Sequence, residues 1–499
     1  FKIFSNENDI FIKYITQLNN AHNIKNQCIM KMKTKTRNHG WYLLWGVLAL
    51  VSFCFLSCKD DDKSEEQQPF DPTKPVLISD FTPKEGGMGT RLVVYGDNFG
   101  NDVSRVKVTI GGKAANLIGV KNQSLHCFVP SQAFNGDIEV TILDENGEEI
   151  AYAEAEEKFA YQKKMLVTTL AGETYENNTK WDVKDGPFDD CGGFDNANWM
   201  VLDPIDSDKL YVCGANKSHR VLDLANKTVG TISFPSPVGT SSINAISFSK
   251  KGELIVVKDY AKTDQPATFF FSRESGFQTI VESFVARGSR SASVHPINGE
   301  VYTSRYDLGV IGRYDQDTKV HEFDKIPIPY SKVPIFTAIH PSGEYMYLIL
   351  SGNNDDDAVN IIMRSDYNWE ERTFTTPYLV CGKYKAKDWA DGMGNRARLN
   401  RPREGCFVKN PEYAGQNDEY DFYFCDQINN CIRKMTPEGR VSTFAGRPNG
   451  DGKSGYNDGD LRHEARFARP TSIVYDEKRE CFYVGDVDNH RIRKIAMEE

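Results

Sequence analysis

Residues 421–434 read DFYFCDQINNCIRK, and residues 480–494 read ECFYVGDVDNHRIRK. The two stretches can be laid over each other with an offset of sixty residues, which places Arg433 on Arg493. Self-similarity at a fixed period is the signature of a repeat architecture. Apolar runs separated by turn residues within each copy indicate short β-strands. The carboxyl-terminal part of the chain is therefore predicted to be an array of β-rich units.

Four weaker copies lie upstream, and each consists of an apolar strand, a turn and a second apolar or Tyr-rich strand. They begin near residues 200, 245, 293 and 338. A glycine-rich loop ahead of each clear copy ends in a similar tail, ARLNRP at 397–402 and ARFARP at 465–470. These features resemble NHL repeats, each of which forms one four-stranded blade of a β-propeller. The resemblance implies a six-bladed β-propeller over residues 163–499.

The two ends of the array predict how it closes. The sequence ends with residues 491–495 as the third strand of a unit, and no fourth strand follows. Residues 166–172, LVTTLAG, read like the fourth strand of the preceding unit, VSTFAG at 441–446. We therefore expect the amino-terminal strand to complete the last blade, because this pairing covers two edges that would otherwise be exposed.

A smaller module is predicted over residues 75–162, where short alternating runs separated by Gly, Asn and Pro indicate antiparallel strands. The motifs FTP at 81–83, VYGDNFG at 94–100 and VTIGG at 108–112 resemble the IPT/TIG family of immunoglobulin-like domains. The resemblance implies a spacer or docking module, and His126 is interpreted as structural. The predicted fold class is thus all-β, a small Ig-like β-sandwich followed by a six-bladed β-propeller.

The first residues predict export and a lipid anchor. Residues 1–29 are interpreted as an extension upstream of the true start, which is Met30 or Met32. Residues 30–57 combine a basic segment with a short apolar run and are interpreted as a signal peptide. The small residue directly before Cys58 resembles the lipobox of bacterial lipoproteins, which implies that Cys58 becomes the lipid-bearing first residue. An uncleaved signal-anchor helix is the alternative.

Residues 58–74 are predicted to be an acidic, flexible tether, because this polar stretch cannot bury enough apolar surface to fold. Its acidic run KDDD at 59–62 resembles the surface-export signal of outer-membrane lipoproteins in bacterial glycan-uptake systems. The resemblance implies an outer-membrane protein that is held by its lipid anchor and faces the cell exterior. An ordinary spacer facing the periplasm is the alternative.

Composition excludes some partners. The formal net charge of −10 makes nucleic acid a poor partner. The eleven cysteines follow no CxxC or Cys/His metal spacing, so those in the folded part are expected to be small buried hydrophobes. The acidic segments 353–357 and 457–460 do not complete a calcium-binding loop. We therefore predict neither a cofactor nor a bound metal.

The binding surface is expected on one face of the propeller, where the long loops leave the second and fourth strands of each blade. These loops carry aromatic rings suited to sugar rings and polar groups suited to their hydroxyls. For each aromatic, packing within its own loop is an equally good interpretation. The candidates are Trp181, Tyr260, Tyr306, Tyr384, Trp389, Arg396, Arg398, Tyr456, His463 and Arg466.

Three functions are compatible with this organisation. The first is a cell-surface glycan-binding lipoprotein that captures a polysaccharide or oligosaccharide for an uptake system, together with outer-membrane transporter components. The second is a polysaccharide lyase or glycoside hydrolase at the same face, with His463 or His490 as base and Arg396 or Arg466 neutralising a uronate. The third is a protein-docking scaffold, which other NHL propellers provide.

Overall fold

The computed structural model describes residues 68–172, 182–214, 219–239, 242–259, 265–286, 288–352 and 359–499. These residues form β-strands joined by turns and short 3-10 helices. Within them, no helix has the length and apolar character needed to cross a membrane. The 3-10 helices are Val103–Arg105, Phe188–Asp190, Gly394–Arg396, Pro411–Tyr413, Gln427–Asn429, Pro448–Gly450 and Val487–Asn489.

The amino-terminal module is a sandwich of two four-stranded antiparallel sheets, in the orders β1-β3-β7-β6 and β5-β4-β8-β9. Alternation along its strands decides which side chains face the core. In β4, Val106, Val108 and Ile110 are buried while Lys107 between them is exposed. The strands are β1 (Leu77–Thr82), β2 (Glu85–Gly86), β3 (Arg91–Asp97), β4 (Val106–Ile110), β5 (Lys113–Ala114), β6 (Asn116–Lys121), β7 (Ser124–Phe128), β8 (Ile138–Leu143), β9 (Glu149–Glu154) and β10 (Ala160–Tyr161).

The rest of the chain forms six antiparallel sheets, the blades of the propeller. Its strands are β11 (Met165–Ala171), β12 (Gly186–Pro187), β13 (Trp199–Leu202), β14 (Lys209–Cys213), β15 (His219–Asp223), β16 (Thr228–Ile232), β17 (Ile243–Phe248), β18 (Leu254–Lys258), β19 (Thr268–Phe271), β20 (Ile280–Phe284), β21 (Ala292–Val294), β22 (Val301–Arg305), β23 (Val310–Asp315), β24 (Val320–Pro327), β25 (Ile335–Ile339), β26 (Tyr345–Ser351), β27 (Asn360–Asn368), β28 (Thr373–Phe374), β29 (Tyr378–Gly382), β30 (Gly392–Met393), β31 (Pro402–Lys409), β32 (Tyr420–Asp426), β33 (Cys431–Met435), β34 (Arg440–Gly446), β35 (Gly459–Asp460), β36 (Pro470–Asp476), β37 (Cys481–Asp486) and β38 (Arg491–Met497).

The six blades close into a ring through their innermost strands. These are, for blades 1 to 6, β13, β17, β21, β25, β31 and β36, and each contacts the next, with β36 returning to β13. The second strands of the blades are covered on both faces, and every residue of β18, β26 and β37 is buried. The predicted fold class, an Ig-like sandwich followed by a six-bladed propeller, is confirmed.

The last blade is completed by the first strand of the propeller. β11 pairs with β38 in antiparallel register, from Met165 opposite Met497 to Ala171 opposite Ile492. Val167 and Ile495 face each other in this ladder, and both side chains are fully buried. The predicted closure of the ring by its own two ends is confirmed.

The Ig-like module is attached to this closing blade. The backbone amide of Glu498 donates to the carbonyl of Lys164 at 3.0 Å, and the Tyr161 hydroxyl donates to the Glu498 carboxylate at 2.8 Å. The Lys164 ammonium reaches back to the carbonyl of Met88 in the sandwich at 3.0 Å. The two modules are therefore joined at the strand pair that seals the ring.

Buried arginines fix the long loops to their blades. Arg493 is fully buried; it donates to Asp486 at 2.8 Å and to the carbonyl of Asn457 in the preceding loop at 2.8 Å. Arg433 occupies the same place in blade 5, where it contacts Asp426 at 2.7 Å and the carbonyl of Ala390 at 2.9 Å. Each arginine therefore holds the loop that enters its own blade.

Candidate functional site

The first strand of every blade begins at the same end of the ring, which we call the loop face. The fourth-to-first connections, such as residues 383–401 and 447–469, leave and return at this end of the sheets. The residues that open the six inner strands therefore converge on the ring axis at the loop face. This convergence follows from the topology alone, whatever the side chains are.

A cavity of about 320 Å³ lies at this convergence, and all six blades contribute to it. Its volume is at the lower end of the ~300–1,000 Å³ typical of ligand pockets. We call it the axial cavity; it is lined by Asn198, Trp199, Asn244, Arg290, Pro334, Phe336, Arg403, Glu404 and Thr471. None of these residues was among the candidates named from the sequence.

The apolar surface of the axial cavity comes from two aromatic rings on opposite blades. Trp199 of blade 1 and Phe336 of blade 4 meet across the axis, with ring centroids 5.8 Å apart and an interplanar angle of 35°. Both side chains are almost fully buried. Because they come from opposite sides of the ring, their contact narrows the passage along the ring axis, and the small exposed part of each side chain lines the cavity.

Arg290 is held on one side of the cavity by groups from its own and the neighbouring blade. Its guanidinium contacts Asp259 at 3.0 Å and donates to the amide oxygen of Asn244 at 3.3 Å. The Tyr306 ring lies 4.8 Å from the guanidinium, in cation–π contact. Tyr306, a candidate from the sequence, therefore does not line the cavity but contacts Arg290, which does.

Arg403 enters the cavity from blade 5. Its Nε donates to the amide oxygen of Gln427 at 3.3 Å, and its guanidinium lies 5.0 Å from the Phe336 ring. Gln427 in turn donates to the Thr471 hydroxyl at 2.9 Å. Burial, together with the nearby charges of other arginines, lowers the pKa of Arg403 to about 10, so the guanidinium stays charged at neutral pH.

Glu404 brings a buried carboxyl group to the same cavity. The backbone amide of Met200 donates to its carboxyl oxygen at 3.3 Å. Burial raises the pKa of Glu404 well above 4.5, because an ionised carboxylate loses more hydration than a neutral one. Burial therefore favours the protonated, hydrogen-bonding form of Glu404 in the cavity.

Replacing Glu404 with glutamine should weaken the pH dependence of stability. The folded state binds this proton more tightly than the unfolded state. The contribution of Glu404 to the free energy of unfolding therefore falls as pH rises above 4.5. Glutamine cannot ionise, so Glu404→Gln should lose less stability than the wild type between about pH 5 and pH 8. Urea unfolding at both pH values measures this.

The exposed Glu412 provides the matched control. Glu412→Gln should keep the wild-type pH profile, since the same substitution is then made at a solvated position. A Glu404→Gln protein with an unchanged profile would show that the carboxyl is already ionised at neutral pH.

A second aromatic group lies at the rim of the loop face. Tyr384, another candidate from the sequence, stacks on Tyr330 with ring centroids 5.8 Å apart and an interplanar angle of 29°. Tyr384 is 47% exposed, so one side of this pair is open to solvent. Tyr330 precedes β25, whose first residues line the axial cavity. Tyr330, one member of the rim pair, thus lies on a loop that leads into the cavity.

Two other aromatic candidates pack against arginines at the blade edges. The Trp389 indole donates to the Thr443 hydroxyl at 2.9 Å and lies under Arg447 at 4.2 Å. Tyr456 is half-exposed and lies 4.5 Å from the guanidinium of Arg491, in a shallow outer pocket. Neither ring is among the residues that line the axial cavity.

The arginine candidates from the sequence form hydrogen bonds within their own loops or lie exposed. Arg398 donates to the carbonyls of its own 3-10 turn, and Arg466 forms two 2.8 Å bonds with Asp451. Arg396 is exposed in a turn held by Gly439, at the end of the blade opposite the loop face. These arginines lie outside the axial cavity because the long loops fold back along the blade edges.

The two histidines considered as bases have separate local partners. His463 Nδ1 lies 2.8 Å from Asp460 on an exposed loop, whereas His490 Nδ1 lies 3.0 Å from the carbonyl of Phe194. Neither lines the axial cavity. The structure does not assemble them with Arg396 or Arg466 into one site.

Several predictions fall on residues outside the described ranges. They are the upstream extension 1–29, the signal peptide 30–57, Cys58 with residues 59–67 of the tether, Trp181, Tyr260 and the acidic segment 353–357. The eight cysteines that the structure describes form no disulfide, and all except Cys406 are buried, as expected for small hydrophobic side chains. Among the described residues, no group of three or more His, Cys, Asp or Glu side chains is arranged to hold a metal ion.

Known proteins similar to this chain agree with the fold. A family model of the IPT/TIG domain matches residues 75–161, which confirms the prediction of that domain. No curated protein matches the chain.

Three solved structures from Bacteroides resemble most of the chain. An auxiliary nutrient binding protein from Bacteroides thetaiotaomicron is 50% identical, has a TM-score of 0.82, and is matched over 86% of this chain and 100% of its own. An auxiliary nutrient binding protein from Bacteroides ovatus is 44% identical, has a TM-score of 0.67, and is matched over 87% of this chain and 100% of its own. A third protein, from Bacteroides thetaiotaomicron, is provisionally described as a phosphatase. It is 38% identical, has a TM-score of 0.74, and is matched over 87% of this chain and 99% of its own. The chain therefore belongs to the same protein family as these Bacteroides auxiliary nutrient binding proteins.

Proposed function

We propose that this protein is a cell-surface lipoprotein that binds a nutrient glycan at the axial cavity of its propeller. The description of two relatives as auxiliary nutrient binding proteins supports a nutrient-binding role. The signal peptide, the lipobox-like Cys58 and the acidic tether support an anchored position on the outer membrane. In this proposal, the Ig-like module separates the propeller from the membrane, and the captured glycan passes to transporter components.

The observation that carries the glycan proposal is the chemistry of the axial cavity. Sugar rings present apolar C–H faces, for which flat aromatic surfaces such as Trp199 and Phe336 are suitable partners. Their hydroxyls need planar groups that donate and accept, which Asn198 supplies, while Asn244 beside it is held by Ser289 and Arg290. A pocket that combines an apolar surface with a few convergent polar groups is the usual form of a small-ligand site.

The rim extends this site beyond the cavity. Tyr384 exposes one side of the stacked pair with Tyr330, and Tyr306 lies beside Arg290. A polysaccharide could therefore place one end or branch in the cavity while neighbouring sugars contact the rim tyrosines. Two linked contacts of this kind raise overall affinity without a new pocket, because the second contact forms intramolecularly.

Asn198→Ala should weaken glycan binding about two- to twelvefold. The Asn198 side chain lines the cavity, and one hydrogen bond to a ligand contributes about 0.5–1.5 kcal/mol. Affinity electrophoresis of the full chain in gels containing individual plant and host polysaccharides measures the effect. Reducing-end and unsaturated-product assays on the same mixtures test for catalysis.

The matched control is Asn395→Ala, which removes an exposed asparagine from the outer turn. Binding by this variant should equal that of the wild type. Lack of retardation by every polysaccharide would overturn the glycan proposal. Product release would replace it with the lyase or hydrolase alternative.

A further inference from the structure

We propose that the axial cavity selects glycans that carry an anionic group, a uronate carboxylate or a sulfate ester, and that Arg403 holds this group. The inference rests on the proposed function and specifies the class of ligand at the same site. It follows from the placement of positive charge in the cavity, which an uncharged sugar would not require.

Arg403 is positioned as a ligand-binding group. In the part of the chain that the structure describes, no carboxylate forms an ion pair with it; its bond to Gln427 uses only Nε. The Phe336 ring and Gln427 fix the plane of the guanidinium and leave its two terminal nitrogens for another acceptor. A buried or half-buried charge without an opposite charge is costly, so this arrangement favours an anionic ligand.

The other ionisable groups of the cavity do not neutralise the positive charge of Arg403. Arg290 is paired with Asp259, and burial favours the protonated form of Glu404. Arg401 and Arg469 lie near enough to Arg403 to lower its pKa by charge repulsion. Asp488 pairs with Arg469 at 3.3 Å, so Arg403 and Arg401 carry the positive charge at the mouth of the cavity, on a protein whose formal net charge is −10. A concave positive region of this kind concentrates field lines and attracts anions.

The geometry of the donors favours carboxylate or sulfate. A guanidinium presents parallel N–H groups that match two oxygens of one anionic group, and such charge-assisted pairs are stronger than neutral hydrogen bonds. The cavity is small enough for one sugar unit with its substituent, and the apolar surface of Trp199 and Phe336 lies beside the arginines. A uronic acid or sulfated sugar offers both an anionic group and an apolar ring face.

Paired polymers test the inference. For carboxylate, we would compare polygalacturonic acid with its fully methyl-esterified form, in which the same backbone carries no charge. For sulfate, we would compare dextran sulfate with dextran. The full chain should bind at least one charged polymer about tenfold or more tightly than its neutral partner, since charge-assisted hydrogen bonds are among the strongest polar contacts.

Arg403→Gln should reduce binding of that charged polymer about ten- to a hundredfold. Arg403→Lys should recover part of the loss, because lysine keeps the charge but not the planar fork. Arg440→Gln is the matched control, because Arg440 is exposed at the opposite end of the same blade. A general attraction to polyanions would be reduced equally by both glutamine variants.

The outcomes separate this inference from the proposed function. Equal binding of charged and neutral partners, or an Arg403→Gln variant that binds like Arg440→Gln, would overturn the selection of anionic groups and leave glycan binding intact. Failure of every polymer, charged or neutral, would overturn both. The identity of the polymer pair that responds distinguishes a carboxylate ligand from a sulfate ligand.

Discussion

Replacement of Arg493 with methionine should lower the free energy of unfolding by about 3–5 kcal/mol. The Arg493 guanidinium lies 2.8 Å from the Asp486 carboxylate, and neither side chain is exposed. Methionine leaves Asp486 buried with hydrogen bonds from Asn489 and the Ala468 amide but without its opposite charge. The variant also releases the loop carbonyl of Asn457, which Arg493 holds at 2.8 Å. Urea unfolding of the full chain measures the loss.

Two further variants identify the cause of this loss. Arg440→Met changes an exposed arginine in a neighbouring blade and should stay within about 0.5 kcal/mol of the wild type. Asp486→Asn combined with Arg493→Met should be more stable than Arg493→Met alone, because the double variant no longer buries an unpaired charge. An Arg493→Met loss below about 1 kcal/mol would show that Asp486 adapts by protonation or hydration.

The same contact explains why the repeat is easy to recognise in the sequence of blades 5 and 6 and hard to recognise in that of blade 1. In blades 5 and 6 the arginine requires an aspartate seven residues earlier, so the residues on both sides of the turn are constrained together. In blade 1, Cys213 stands seven residues before Arg220, in place of the aspartate. Arg220 bonds to backbone carbonyls, including that of Lys184 at 2.6 Å, and lies 3.5 Å from Asp185. Without the paired aspartate, the repeat is faint in blade 1 even though its arginine is equally buried.

The fold could be predicted from the sequence because local patterns determine it. Apolar strands at a regular period predicted the blades, and the likeness of residues 166–172 to 441–446 predicted the closing strand. The apolar strand pattern can be read within a single repeat, and the closing strand can be recognised by aligning one repeat with another. No long-range contact had to be known in advance.

The axial cavity could not be predicted in the same way. Its residues come from six inner strands that lie far apart in the sequence, and each contributes only one or two side chains. Which of them faces the axis depends on strand register, because a shift of one residue reverses every side chain of a strand. Aligning the first residues of the six inner strands, such as Asn244 and Arg403, is the signal that could have found the site.

The loop candidates failed to assemble for a different reason. Loop length and composition predicted an accessible binding surface, but the loops of blades 5 and 6 fold back along the blade edges. Arg433 and Arg493 hold them there, and Arg466 is neutralised by Asp451 in its own loop. Tyr306 and Tyr384 come closer to the cavity because they follow the strand ends directly at the loop face.

A disulfide between β11 and β38 should stabilise the oxidised protein by up to about 5 kcal/mol. Thr168 and Lys494 are directly opposite in this ladder, so their side chains lie on the same face of the sheet. A bond between cysteines at these positions encloses nearly the whole propeller, and a large loop loses more entropy in the unfolded chain than a small one. Urea unfolding of Thr168→Cys/Lys494→Cys, with and without reductant, measures the gain.

The cross-link tests ring closure because it can form only where the two ends of the propeller meet. On a non-reducing gel, the oxidised double variant should migrate faster than the reduced protein, while either single variant should not. Seven of the eight described cysteines are buried, which limits competing thiol exchange. Thr231→Cys/Lys494→Cys places one cysteine on blade 1, where β16 does not pair with β38, and should remain uncross-linked. Equal cross-linking of both pairs, or none in the first, would contradict a ring sealed by β11 and β38.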